Sequence, residues 1–409
     1  MSAFLAPWRG RLLALGLAGL LVAVTAANYQ FALQAPGGNS FLSGWMAIRA
    51  WMVDGRSPYD TAVGEAAQRL LYGRPANASS GEDPLAFTLP LPAALVYLPF
   101  ALAPYPLARA LWMTLLEVSL PALALLGMRL ARWHPRPGMM LAILVFSIAW
   151  YHGLVSIVTG DLAPLEGLLI GGWLWAFTRR RDLLAAGLLA ASTIRPEVTF
   201  LLLPLAVLSA AQARRWTFLA ALVAALTAAI AVSLLLQPGW PVPWLWRLLE
   251  SQRAAGFDSA VSIVAGGSGR AETIAALTLS ALLAGYAVWE WLRARRLGER
   301  GLVWAAQLVL VVSLWIAPQR NTAAFVVLIP AFALLWGAWA ERRSRRSGWV
   351  IAATLLLVAG GSWGLYLATA AQAAESTLLL FPVPLLTLLG LWWIRWWATR
   401  PPLPTLESG

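Results

Sequence analysis

Residues 129–181 read RLARWHPRPGMMLAILVFSIAWYHGLVSIVTGDLAPLEGLLIGGWLWAFTRRR. Arginines stand at both ends, two apolar runs lie between them, and Gly160-Asp161 separates the runs. A helix needs roughly 20 apolar residues to cross a hydrocarbon layer about 30 Å thick, so the two runs read as a membrane hairpin. Short cytoplasmic loops are enriched in Lys and Arg. Arg129, Arg132 and Arg136, then Arg179, Arg180 and Arg181, therefore mark the inner side, and Asp161 marks the outer.

The same alternation extends in both directions. Upstream, a spanning run over 106–128 leads into the hairpin, and a first run over 12–33 follows Arg9 and Arg11. That first run is longer than a signal-peptide core, and Ala26-Ala27 is a weak cleavage site, so it reads as an uncleaved helix. Between these two runs lies a long polar stretch, 34–85, and then Leu85 to Ala103, interrupted by Pro90, Pro92 and Pro99. The alternation of sides requires that last segment to lie at, or dip into, the outer leaflet.

Downstream, two short apolar segments, 183–193 and 198–211, are joined by Arg195-Pro196-Glu197 and flanked on both sides by inner arginines. Short paired segments of this kind read as half-length helices lining a cavity, because irregular backbone at membrane depth is tolerated only there. A spanning run over 216–236 follows. An outer stretch, 237–271, carries Trp240, Trp244, Trp246 and Arg247, the pattern of an interfacial amphipathic helix. Runs over 272–292, 302–317, 322–340, 349–370 and 377–397 complete the chain. Twenty of the thirty arginines then fall inside, and twelve of the eighteen acids outside.

The expected fold is an all-α integral membrane protein, a single transmembrane domain over 1–409 with about 12 crossings and both termini cytoplasmic. It places a first outer loop with amphipathic or re-entrant helices at 34–105, an outer interfacial segment at 237–271, and the whole in the plasma membrane.

Composition agrees. Hydrophobic residues make up 60% of the 409 and charged residues 12%, where a soluble domain carries roughly a quarter. The net charge of +12 comes from arginine alone, since no lysine is present. These arginines sit in clusters between apolar runs rather than along one face, which argues against a nucleic-acid partner. Cysteine is absent, excluding thiol chemistry, and two histidines are too few for a zinc site of the usual kind. No cofactor is expected, and the sequence indicates no divalent metal.

Polar chemistry is therefore sought on the outer side. Gly55-Arg56-Ser57-Pro58-Tyr59-Asp60 holds Tyr59 and Asp60 on a turn, because Pro58 restricts Ser57 to extended geometry. Asp161 is a single carboxylate between two apolar helices, a usable base or simply the cap of the helix that follows. Arg195, Glu197 and Arg320 lie next to membrane depth, where the cations suit a lipid-linked phosphate and Arg195 with Glu197 equally suits a structural pair. Glu117, within a spanning run, is an intramembrane ionisable group and a candidate on that ground alone. Asn77-Ala78-Ser79 is a sequon on the outer side, relevant only in a host that glycosylates such sites.

Several fragments resemble the N-terminal half of glycosyltransferase family 87. They are Asn39-Ser40-Phe41-Leu42 with Trp45, Gly55-Arg56-Ser57-Pro58-Tyr59, the proline-spaced Phe87 to Pro99, and Ala108-Arg109-Ala110-Leu111-Trp112. Gly160-Asp161, Ser192-Thr193-Ile194-Arg195-Pro196 and Ala317-Pro318 resemble that family's Gly-Gln, Lys-Pro and Ser-Pro positions, so the resemblance covers roughly residues 35 to 335. It implies a GT-C fold and inverting transfer of mannose or another sugar from a polyprenyl-phosphate carrier to the hydroxyl of an acceptor glycan or glycolipid. The implied partners are membrane lipids, that donor and that acceptor. Where the family carries an acid directly before the first-loop Phe, this chain has Ser40, so the base moves to Asp161 or, second, Asp60. Arg195, Arg320 and Arg56 are then expected on the donor phosphate, with Asn39, Ser40, Tyr59, Glu197, Gln319 and Asn321 around them. Two other readings stand beside this one: an inactive GT-C paralogue that binds a lipid carrier, and a lipid or sugar transporter, which would show matching broken helices in two halves.

Overall fold

The computed structural model describes residues 6–35, 37–77, 82–255, 259–266, 269–319, 321–342, 347–369 and 375–400. Every regular element among them is helical. Among the described residues, eight helices are long and apolar enough to cross a membrane, or nine if one bent pair is a single span. The protein is thus all-α and multi-pass.

The first long helix is α1 (Ala6–Gln34). The polar stretch after it folds into α2 (Asn39–Asp54) and α3 (Thr61–Tyr72). Of the proline-spaced run, only Leu91–Ala93, as a 3-10 turn, and α4 (Ala94–Ala101) are helical. Pro90 and Pro92 explain the late start, since proline cannot supply the N–H that a helix interior needs. The spanning α5 (Tyr105–Leu130) packs along α1, and Asn28 on α1 donates to Glu117 Oε2 at 2.9 Å. Glu117 is thereby held between two helices.

The hairpin between Arg129 and Arg181 is α6 (Pro137–Ala149), α7 (Tyr151–Thr159) and α8 (Ala163–Thr178). α6 and α7 bend by 49° at Trp150, whose backbone is extended. α8 has 16 residues, or roughly 24 Å of rise, short of a full hydrocarbon crossing. Then come α9 (Asp182–Ser192), the single turn α10 (Pro196–Thr199) and α11 (Leu202–Gln212), so Arg195 stands between two short helices.

A lipid-facing α12 (Trp216–Leu236) leads to α13 (Pro241–Ala255) and α14 (Ala260–Val264), which occupy the aromatic stretch. Three long helices, α15 (Arg270–Ala294), α16 (Gly298–Ile316) and α17 (Ile329–Arg342), follow, the last preceded by a 3-10 segment, Thr322–Leu328. The chain closes with α18 (Ser347–Thr369) and α19 (Pro382–Thr399).

The most apolar windows of α16 and of the span containing α17 are 78% and 89% buried, against 6% for α1 and α15. A helix apolar all round belongs at the centre of a bundle. Here α16 and α17 with α5 and α8 form that centre, and the exposed leucines of α1, α12 and α15 face outward.

Candidate functional site

α7 ends at Gly160, whose φ of 70° suits glycine, and the Asp161 N–H donates back to the Ser156 carbonyl. A Cβ on Gly160 would lie 2.5 Å from Phe41 Cβ, and Trp112 Nε1 donates to the Gly160 carbonyl at 3.0 Å. The turn is thus pinned between α2 and α5. This fixes Asp161, whose Oδ1 accepts the Ala163 N–H at 2.8 Å and Arg195 Nη1 at 2.6 Å. Arg195 Nε donates in turn to Glu197 Oε1 at 2.9 Å. Asp161 therefore caps α8 and Arg195 forms the expected structural pair with Glu197, to which the structure adds a pair between Arg195 and Asp161. Its Oδ2 has no hydrogen-bond partner among the described residues.

Asp161, Arg195 and Glu197 line a cavity of about 430 Å³. Ser40 and Ser43 of α2 form one wall, Trp244 of α13 another, and Gln319 and Asn321 close it from the connection before α17. Tyr97 and Phe87 add aromatic surface; Tyr97 stacks on Trp112 and Phe41 with centroids 5.4 and 6.1 Å apart. That stack depends on Gly44, where a Cβ would meet the Tyr97 ring at 2.3 Å. Indoles and carboxylates together suit a sugar: carboxylates accept from hydroxyls, and a flat ring covers the apolar face.

The sequence-derived set divides. Asp161, Arg195, Glu197, Ser40, Gln319 and Asn321 share this cavity. Asp60 does not: it is exposed and caps α3, accepting the Ala62 N–H at 3.0 Å. Arg56 is exposed on the same turn and is absent from the described lining. Pro58 does sit in a turn, where the Asp60 N–H donates to the Ser57 carbonyl at 3.1 Å. Asn39 opens α2 without lining the cavity, and Arg320 lies outside the described residues. Tyr59 is buried behind Phe87 and donates to the Leu89 carbonyl at 3.0 Å. Burial pushes its phenol well above the ordinary range, so it remains a donor and braces the loop.

Charge at the described lining is lopsided. Asp83, Asp161 and Glu197 face a single guanidinium, Arg195. A donor phosphate would therefore find one cation there, already shared by two carboxylates, and one of its nitrogens, Nη2, without a described partner.

Two features escaped the sequence reading. Glu166, one turn into α8, is fully buried with both carboxylate oxygens unpartnered among the described residues, within electrostatic reach of Arg195. In sequence it looks like any acid in the first turn of a helix, where the dipole favours it. The second is Glu375, which accepts from Tyr151 Oη at 2.8 Å and from Thr322 N at 2.9 Å, tying the wall that carries Gln319 and Asn321 to α7. His152 joins through its 2.7 Å contact with Thr322 Oγ1. Only the fold brings 152, 322 and 375 together.

No family model, curated protein or solved structure matches this chain.

Proposed function

We propose that the protein is a membrane glycosyltransferase that moves a sugar, mannose-like in type, from a polyprenyl-phosphate carrier to an acceptor hydroxyl. The reading includes a GT-C-like bundle of about 12 crossings in the plasma membrane. Both termini lie in the cytoplasm, and the Asp161 cavity opens at the outer leaflet. The observation that carries it is Asp161 itself. One carboxylate oxygen is immobilised by Arg195 and a backbone N–H, and the other is without a partner among the described residues, on the wall of a sugar-sized cavity.

Asp161 Oδ2 takes the proton of the acceptor hydroxyl. The acceptor oxygen forms its bond to the sugar's anomeric carbon as the bond from that carbon to the phosphate oxygen breaks. The bonding pair leaves on the lipid phosphate, and the configuration inverts. Arg195, held by two carboxylates, fixes the base and offers Nη2 to the developing negative charge. A lipid-borne donor also explains why the cavity is set among helices that face acyl chains.

The test is incubation of the purified protein with a panel of polyprenyl-phosphate sugars, followed by detection of released lipid phosphate. Asp161→Asn should lower release by about 10²–10⁴-fold, the usual worth of a general base, with unchanged folding. Full activity in this variant removes the assignment. A binding-only reading is favoured by Ser40, which stands on the cavity wall where the family resemblance expects an acid. If neither wild type nor Ser40→Asp releases lipid phosphate while the donor still binds, the binding-only reading replaces transfer.

A further inference from the structure

A second and larger cleft, of about 980 Å³, opens at the opposite end of the same helices. α8 carries Asp161 before its first residue, and Trp175, Thr178 and Arg179 at its last turn and just beyond. α16 runs from Arg300 and Val303 in this cleft toward Pro318 and Gln319 in the other. The bundle therefore has a chemically distinct site at each end.

The cleft's polar wall is basic. Arg129, Arg132, Arg179 and Arg300 line it against one carboxylate, Glu299. Two of these guanidiniums are already engaged: Arg132 pairs with Glu299, and Arg300 pairs with Glu341 through two contacts of 3.1 Å. Among the described residues Arg129 and Arg179 make no ion pair, and Arg179 stands 5.7 Å over the Trp175 ring. The Trp175 indole N–H is buried and has no described acceptor. Arg132 also holds a φ of 54°, a left-handed conformation that glycine would adopt more cheaply.

The other wall is apolar. Leu125 and Met140, 46% and 37% exposed, carry the cleft onto the outside of the bundle, where acyl chains would lie. A soluble anion has no use for that wall. We infer that the cleft is a binding site for the phosphate headgroup of an anionic lipid, with Arg129 and Arg179 on the phosphate and the acyl chains over Leu125 and Met140. This does not rest on sugar transfer at the other cavity.

The test uses the full chain in neutral detergent and counts retained lipids by native mass spectrometry. The probes are a phosphatidylglycerol, a phosphatidylcholine of the same chains, and inorganic phosphate. The wild type should retain phosphatidylglycerol over phosphatidylcholine. Arg129→Gln/Arg179→Gln should weaken that retention roughly thirty-fold, at the usual worth of two arginines beside an anionic headgroup. Arg69→Gln/Arg74→Gln, at exposed positions of the first loop, should leave it unchanged. Met140→Glu should weaken it as well, by setting a carboxylate on the path of the chains. Equal retention of the two lipids, or equal losses in the two double variants, overturns the site. Retention abolished by millimolar inorganic phosphate overturns the lipid as its ligand.

Discussion

Arg195 stands between two carboxylates, with Asp161 at 2.6 Å and Glu197 at 2.9 Å, and is itself only 9% exposed. Removing the cation from such a group leaves buried negative charge with no counter-ion, typically a loss of about 3–5 kcal/mol. Arg195→Gln should therefore lower the melting temperature in detergent, whereas Arg195→Lys should restore much of the stability but not the simultaneous grip on Asp161 and Glu197. A glutamine variant as stable as wild type would show that the pair is solvated and holds nothing in place. These two partners were legible in sequence because both sit in turns between apolar runs, where a polar residue has few places to go. Glu166 was not, because its burial is decided by what packs over α8 and its spacing looks like ordinary first-turn chemistry. Asp60 stands apart for a local reason: directly before Thr61-Ala62-Val63 it caps α3 on an exposed turn that is not part of the cavity lining.

At the scale of elements, the turn between α7 and α8 decides where Asp161 stands. Gly160 is required there twice over, by its φ of 70° and by Phe41 lying where a Cβ would go. Gly160→Ala should cost about 1–2 kcal/mol in backbone strain alone and more in displacement of α2, read as a drop in thermal stability. The drop should come with a larger loss of transfer than an equally destabilising substitution on lipid-facing α12 produces. An alanine variant with native stability and activity would mean that α2 is not clamped on this turn. Apolar runs and arginine punctuation reveal where the long helices lie, because lipid exposure demands length and hydrophobicity of each one. They do not reveal breaks such as the extended Trp150 or the late start at Leu91, which follow from contacts and prolines acting locally.

For the whole molecule, composition and charge placement define the class of protein, and the fold then sorts polar groups to two ends. The acid-lined cavity lies at one end of α8 and α16 and the arginine-lined cleft at the other. This polarity was foreshadowed by the positive-inside rule, which acts on loops and needs no knowledge of packing. Which acids meet in one cavity needed the packing, since residues 40, 161, 197 and 319 are joined only in three dimensions. The native chain contains no cysteine, so single cysteines can be placed without background. Ser43→Cys, on the Asp161 cavity, should react with a membrane-impermeant maleimide added to intact cells, and Thr178→Cys, in the arginine-lined cleft, should react only after permeabilisation. The reverse pattern would place Asp161 on the cytoplasmic side and end the case for sugar transfer at the outer leaflet.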